Sequence, residues 1–215
     1  MSRRIGGAGG GSDKGSGGGG AVVAAIAVVA LAGVGGGAAV GGGAGGGGPV
    51  DSLSARKADS KKSAREGNGD AAWSRLGRRV TRKVDRRDLE CLTASFGQVR
   101  EFFVRTPCRS LDRTVFALDD GAGNVAVVSV VWVGFANRGQ VRDFQRVMDV
   151  HGSGDIRPLG SALLGLADIA FTGDHYSADP KADNITIAET ESVSGVVDVG
   201  TLELIAEVAA QLPKP

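Results

Sequence analysis

The side chains best suited to acid–base chemistry lie together at Asp174, His175 and Tyr176. A histidine beside a carboxylate can take up and return a proton, and tyrosine adds a hydroxyl donor. The cluster falls in a predicted strand, where neighbouring side chains point to opposite faces, so Asp174 and Tyr176 share a face that His175 does not. A structural or exposed role is the simpler interpretation, and the sequence assigns no catalytic residue.

Motifs for metals and nucleotides are missing from the sequence. The two cysteines, Cys91 and Cys108, are 17 residues apart, and the two histidines, His151 and His175, are 24 apart, which matches no closed zinc site. Neither a Gly-x-Ser-x-Gly elbow nor a phosphate-binding Gly-x-x-x-x-Gly-Lys-Ser/Thr loop occurs. We therefore expect no metal and no cofactor.

Two other groups of residues could hold ions. Asp179, Asp183 and Asn184 offer oxygen ligands to calcium but lack the alternating loop with its distal glutamate, so a turn explains them better. Arg105 and Arg109 flank a predicted rigid corner and could bind an anion. Arginines that satisfy the last carbonyls of a helix explain this pair more simply.

Cys91 and Cys108 predict one disulfide bond, because both follow an apolar segment and a lone cysteine pair suits an oxidising compartment. Two buried free thiols are the alternative. One continuous helix from Cys91 to Arg105 would hold its ends about 21 Å apart and exclude the bond. Ser95 and Gln98 have capping-box spacing, which predicts that the helix starts at Ser95 and leaves the bond possible.

The first 70 residues predict a membrane anchor within flexible chain. Residues 1–20 are a glycine-rich cytoplasmic tail, and residues 41–70 a flexible stalk. Residues 21–40 have no charged or polar side chain and are long enough for a transmembrane helix, although a cleaved signal peptide of a secreted protein is the alternative. Three basic residues precede this segment and none follows until Arg56, which predicts a single-pass protein in the cell membrane, its N-terminus cytoplasmic and its C-terminal domain outside.

Charge is distributed unevenly along the chain. Residues 1–90 contain 15 Lys and Arg against 8 Asp and Glu, whereas residues 91–215 contain 10 against 16. The pattern predicts a basic stalk joined to an acidic domain. An acidic folded part argues against nucleic acid as a partner.

Residues 71–88 are predicted to form a basic amphipathic helix. Trp73, Leu76, Val80 and Val84 recur at helical spacing. Basic residues fill the other faces: Arg75, Arg78, Arg79, Arg82 and Lys83. They could contact anionic lipid or a cell-wall polymer. A solvated helix that packs on its own domain is the simpler alternative.

Residues 89–215 are predicted to form an extracytoplasmic α+β domain. The first helix should bury Val99, Phe102 and Phe103 and end before Pro107. Two ββα units should follow, with strands at 113–118, 125–135, 169–177 and 185–193, and with helices capped by Asn137 and Asp198. This order predicts a mostly antiparallel sheet with the helices on one face.

The motif Val-Arg-Glu-Phe-Phe-x-x-Thr-Pro-Cys-Arg-Ser-Leu occupies residues 99–111. Together with the Gly/Ala-rich segment and the polar stalk, it resembles uncharacterised single-pass, membrane-anchored envelope proteins of high-GC Gram-positive bacteria. The resemblance covers about residues 91–212 and implies a location at the membrane. It carries over no activity, ligand or site residue.

Two classes of function remain open. One is a membrane-anchored extracytoplasmic binding or interaction module of the cell envelope with an unknown protein partner. The other is an envelope hydrolase that uses acidic residues such as Asp174. A deep pocket lined by two or more convergent carboxylates would favour the hydrolase. Because the sequence offers few candidate catalytic groups, we favour the module.

Overall fold

The computed structural model describes residues 49–88, 90–167 and 169–215. Within these ranges, no helix combines the length and the apolar character needed to cross a bilayer. The predicted tail, residues 1–20, and the predicted transmembrane helix, residues 21–40, lie outside the described residues.

Five strands form one antiparallel sheet in the order β1-β2-β3-β5-β4. The strands are β1 (Arg79–Asp88), β2 (Ser110–Asp119), β3 (Val125–Gly134), β4 (Tyr176–Pro180) and β5 (Asn184–Ser194). The helices are α1 (Pro49–Arg65), α2 (Gly69–Arg75), α3 (Gly97–Arg105), α4 (Arg138–Met148) and α5 (Val199–Ala209), with a short 3-10 helix at Ser161–Leu164. The predicted α+β class and antiparallel sheet are confirmed.

The helices that follow the strand pairs β2-β3 and β4-β5 begin at the predicted caps. The Asn137 side chain accepts a hydrogen bond from the Gln140 N–H at 3.1 Å, at the start of α4. The Asp198 carboxylate accepts one from the Thr201 N–H at 2.9 Å, at the start of α5. Each cap satisfies an amide that has no partner within its helix.

Helices cover both faces of the sheet, so the prediction that they collect on one face is wrong. The helices α2 and α5 pack on the face that contains Phe116 and Val128, here called the α5 face, and α1 packs on α2 and α5. The helices α3 and α4 pack on the opposite face, which contains Val131 and Val133, here called the α4 face. This explains why eight consecutive residues of β3 are buried, since a strand covered on both sides needs apolar side chains at successive positions.

The predicted basic helix over residues 71–88 is also wrong. The helix α2 ends at Arg75, Gly77 adopts a φ of +68°, and the chain continues as the edge strand β1. Pairing with β2 along nearly the whole of β1 satisfies its backbone groups, which outweighs the helical spacing of a few apolar residues. Charged side chains suit an exposed edge strand because they discourage further strand pairing.

The five basic residues predicted to contact an anionic surface therefore do not share one face. The Arg82 guanidinium donates to the carbonyls of Leu164 and Gly165 on the α4 side. In the register of β1, Lys83 pairs with Phe116 and therefore lies on the α5 face. The single basic surface that the helix would have presented does not exist.

The described part of the predicted flexible stalk is helical and packed. Ser60 and Ala64 of α1 are fully buried. The ammonium groups of Lys57 and Lys61 both contact the Glu207 carboxylate of α5. The sequence has no apolar periodicity that would predict this helix, because small and charged residues make its contacts with the rest of the domain. Its basic residues consequently belong to the same folded unit as the acidic ones.

The two cysteines are paired as predicted. The sulfur atoms of Cys91 and Cys108 lie at bonding distance, and their Cα atoms are 6.2 Å apart. The helix between them starts only at Gly97, so no continuous helix separates them. The predicted capping box is wrong, because the Ser95 hydroxyl donates to the Leu92 carbonyl at 3.2 Å and does not cap α3.

Aromatic side chains form the centre of the α4 face. As predicted, α3 buries Val99, Phe102 and Phe103. Phe135 and Phe144 join the two α3 rings, and their own centroids are 5.1 Å apart. This cluster anchors α3 and α4 to the sheet, and a cavity opens beyond the end of α4.

The strand predicted over residues 169–177 is wrong for most of its length, because β4 begins only at Tyr176. Ile169 and Phe171 instead lie in a loop and pack beside Val115 and Val127. The loop places Phe171 to Gly173 beside the end of α4.

Candidate functional site

A cavity of about 270 Å³ lies on the α4 face, where the loop after α4 meets β4 and β5. Three carboxylic side chains line it: Asp149, Asp155 and Glu189. Three aromatic rings also line it: Phe96, Phe171 and Tyr176. No lysine or arginine is among the described residues of the lining. We call this space the acidic cavity.

The register of β5 aims Glu189 at the cavity. Ile185, Ile187 and Glu189 point to the same face of the sheet, and the two isoleucines are core residues there. Glu189 is only 8% exposed, and its cross-strand neighbours are Ser129 on β3 and Tyr176 on β4. A carboxyl group therefore occupies a position where the strand otherwise carries apolar side chains.

Asp155 reaches the same point from the loop after α4, and backbone hydrogen bonds hold that loop in place. The Phe96 N–H donates to the Asp155 carbonyl at 2.9 Å, and the Gln98 N–H donates to the Ser153 carbonyl at 2.6 Å. The Asp155 carboxylate also accepts from the Ile156 N–H at 2.6 Å. The carboxyl group of Asp155 is thus positioned by the start of α3.

Two glycines allow this close approach of loop and helix. Gly154 has a φ of +124°, and a Cβ there would lie 2.3 Å from the Phe96 carbonyl oxygen. Gly97 has a φ of +59°, and a Cβ there would lie 2.5 Å from the Ser153 carbonyl oxygen. Any other residue at either position would push the loop, and Asp155 with it, away from the helix.

Asp155 and Glu189 form a hydrogen-bonded carboxyl pair. Burial raises the pKa of Glu189 to about 9, and the charge of Asp155, the hydrogen bond to Asp155 and the charge of Glu191 act in the same direction. Burial also raises the pKa of Asp155, against hydrogen bonds from Glu189 and the Ile156 N–H that lower it. The pair therefore keeps a proton to a higher pH than an isolated carboxyl group does.

Tyr176 is a neutral hydroxyl donor at the edge of this pair. Burial, and then the charge of Asp149, raise the pKa of Tyr176 above its ordinary value. Its hydroxyl donates to the Asp149 carboxylate at 3.4 Å. A second carboxylate is thereby held at the cavity through a long hydrogen bond.

Of the predicted cluster Asp174, His175 and Tyr176, only Tyr176 lines the acidic cavity. Asp174 is exposed in the bend that precedes β4, so it does not share a strand face with Tyr176. The Nδ1 atom of His175 is buried and has no hydrogen-bond partner among the described residues. The other histidine, His151, lies in the lining.

Asp149, Asp155 and Glu189 were not predicted from the sequence. A signal for Glu189 was present, because it follows Ile185 and Ile187 at strand spacing and must share their buried face. Nothing local marks Asp149 or Asp155, which reach the site only through the fold of their loop.

The carboxyl pair can hold one proton and exchange it, which is the requirement for general acid–base catalysis. Among the described residues, no three His, Cys, Asp or Glu side chains are arranged to hold a metal ion. The arrangement suits a ligand that carries hydrogen-bond donors or positive charge.

Comparison with protein families, curated proteins and solved structures finds no match to this chain.

Proposed function

We propose that this chain is a binding module of the cell envelope whose ligand, a small organic cation, occupies the acidic cavity. The observation that carries the proposal is the lining, in which three carboxylic side chains and three aromatic rings surround a space without a lysine or arginine among its described residues. Aromatic faces attract ammonium groups, and carboxylates accept their hydrogen bonds. The Arg157 guanidinium already lies over the Phe96 ring, 5.6 Å from its centroid, so Phe171 and Tyr176 are the rings left for the ligand. The volume of about 270 Å³ suits a ligand at or below the lower limit of drug-sized molecules.

The location of the module is part of the proposal. We infer that residues 21–40 anchor the chain in the membrane and that the domain lies outside. The apolar segment supports this inference, as does the paired geometry of Cys91 and Cys108, which fits an oxidising compartment. If the segment is instead a cleaved signal, the mature chain should start near Gly41.

A hydrolase is the second candidate, because the cavity contains the convergent carboxylates expected of one, in the Asp155–Glu189 pair. We rank it second because the aromatic side chains of the same lining suit the binding of a cation. Two carboxyl groups that share one proton can activate water and protonate a leaving group. The cavity beside the pair offers room for a small substrate. In this case Asp155, as the base, and Glu189, as the acid, would be the catalytic residues.

Calorimetric titration of the purified full-length chain with benzylamine tests the module. Benzyl alcohol has a similar shape but no charge, so we expect it to bind about tenfold more weakly or not at all. Glu189→Gln should weaken the binding of benzylamine about tenfold, because glutamine cannot become a carboxylate when the cation arrives. Glu203→Gln, an exposed residue of α5, is the matched control and should change nothing.

Equal binding of the amine and the alcohol, or unchanged binding in Glu189→Gln, would overturn the module as proposed. Release of nitrophenol from nitrophenyl esters, lost in Asp155→Asn while the circular dichroism spectrum is kept, would select the hydrolase instead.

A further inference from the structure

A larger cavity, of about 490 Å³, lies on the α5 face. Its aromatic lining is formed by Trp73 of α2, Phe116 of β2 and Trp132 of β3. The rings of Trp73 and Phe116 have their centroids 5.5 Å apart. We call this space the aromatic cavity. It is separate from the acidic cavity, because the strand register points Phe116 and Trp132 away from the face that carries Glu189.

The last residues of the chain form one wall of the aromatic cavity. Leu212 to Pro215 lie along it. The Trp132 indole N–H donates to the Leu212 carbonyl at 2.9 Å, which fixes this segment over the sheet. The turn at Gly67 to Asp70, where α2 starts, lies beside this segment and also lines the cavity. The volume is within the range of about 300 to 1,000 Å³ that is typical of small-molecule sites.

The lining contains the ammonium groups of Lys83 and Lys214 and the carboxylate of Asp70. Lys83 contacts Asp85 at 3.2 Å, and Lys214 contacts Asp112 at 2.6 Å. An ammonium group has three N–H donors, so each lysine keeps donors for a ligand after its contact with an aspartate. The lining thus combines an apolar, aromatic surface with two ammonium groups that keep donors for a ligand.

We propose that the aromatic cavity is a second binding site, for an organic anion in which a carboxylate is joined to an apolar chain of medium length. The chain lies against Trp73, Phe116 and Trp132, and the carboxylate accepts hydrogen bonds from Lys83 and Lys214. Burial of the apolar part against the rings provides the favourable free energy, and the lysines select the anion. This site is independent of the cation site proposed for the acidic cavity.

Tryptophan fluorescence tests the proposal with unusual selectivity, because Trp73 and Trp132 are the only two tryptophans of the chain and both line this cavity. The probe is 8-bromooctanoate, whose bromine quenches an indole only at close range. Titrated into the full-length chain, it should quench the emission in a saturable way, and unlabelled octanoate should reverse the quenching. The cationic analogue 8-bromooctyltrimethylammonium should be about tenfold less effective.

Variants of the exposed residue Lys83 assign the charge selection. Lys83→Glu should weaken the quenching by 8-bromooctanoate about tenfold, and Lys83→Arg should retain it. Arg142→Glu, the same charge change at an exposed position of α4, is the matched control and should leave the titration unchanged. Quenching that does not saturate, that is equal for the cationic analogue, or that is unaffected by Lys83→Glu would overturn the proposal.

Discussion

Two buried carboxyl groups on opposite faces of the sheet differ in what neutralises them. Asp112, on the α5 face, is 3% exposed, and Arg87 contacts it at 3.0 Å and Lys214 at 2.6 Å. Glu189, on the α4 face, is 8% exposed and hydrogen-bonds to a second acid, Asp155. One buried acid is neutralised by cations and the other by a proton.

The difference indicates which acid is available for function. A buried carboxylate that is paired with cations is compatible with a stable fold only while those cations remain in contact with it. An acid that is neutral only because it is protonated can release that proton when a cation or a substrate arrives. By this argument Asp112 is structural, whereas Glu189 belongs to a site.

The largest expected effect comes from removing the cations of Asp112. The double variant Arg87→Ala/Lys214→Ala leaves a buried carboxylate without a cation, which should lower the free energy of unfolding by about 3 kcal/mol. Urea denaturation measures the loss. Adding Asp112→Asn should restore most of it, and Arg138→Ala/Arg142→Ala at exposed positions of α4 should cost little. A small loss in the first variant would mean that Asp112 needs no cation.

A smaller effect is expected where the loop of Asp155 contacts α3. Gly154→Ala places a Cβ 2.3 Å from the Phe96 carbonyl oxygen and should cost about 2 kcal/mol in the free energy of unfolding. Gly152→Ala is the matched control, because Gly152 also has a positive φ, +76°, but nothing lies within 4 Å of its added Cβ. It should cost about 1 kcal/mol. Equal losses would show that the contact does not hold the loop.

The effect with the most informative pH dependence is expected for Glu189→Gln. The folded chain keeps the Glu189 proton up to a pKa of about 9, whereas the unfolded chain releases it near the ordinary glutamate pKa of 4.5. The stabilisation that the Glu189 proton gives to the folded chain is therefore fully present below pH 4.5. It is lost as the pH rises toward about 9. Glutamine does not titrate, so the variant should gain about 1 kcal/mol over the native chain for each pH unit between about pH 5 and pH 8.

Urea denaturation at several pH values measures this gain. Glu203→Gln, which changes an exposed glutamate of α5, should show no comparable pH dependence relative to the native chain. A constant difference between Glu189→Gln and the native chain at every pH would contradict a protonated Glu189.

Local signals in the sequence predicted the elements that depend on local contacts. The caps at Asn137 and Asp198 work through an amide three residues away, so their helices were placed correctly. The apolar positions of residues 71–88 were misread as a helix, because only the partner strand β2 makes that segment a strand. The helix α1 was missed because its contacts with α5 lie about 150 positions away along the chain.

The candidate site was harder to predict for the same reason. Its carboxyl groups come from the end of α4, from a loop and from β5, and only the sheet register and the tethered loop bring them together. Tyr176 was selected from the sequence for its neighbours Asp174 and His175, yet its partner is Asp149. The apolar face of β5 indicated where Glu189 points, but not that a second acid meets it there.

The most direct test of a proton-sharing pair is a carbon-13 NMR titration of the Asp155 and Glu189 carboxyl carbons in the full-length chain. The shift of the Glu189 carbon should change with a midpoint near the raised pKa of about 9, and that midpoint should fall in Asp155→Asn, because the charge of Asp155 raises the pKa of Glu189. Benzylamine should lower the midpoint further, since a bound cation favours the carboxylate. If Glu189 instead titrates near 4.5 and Asp155→Asn has no effect on its midpoint, the two acids do not share a proton and the acidic cavity is not the site proposed here.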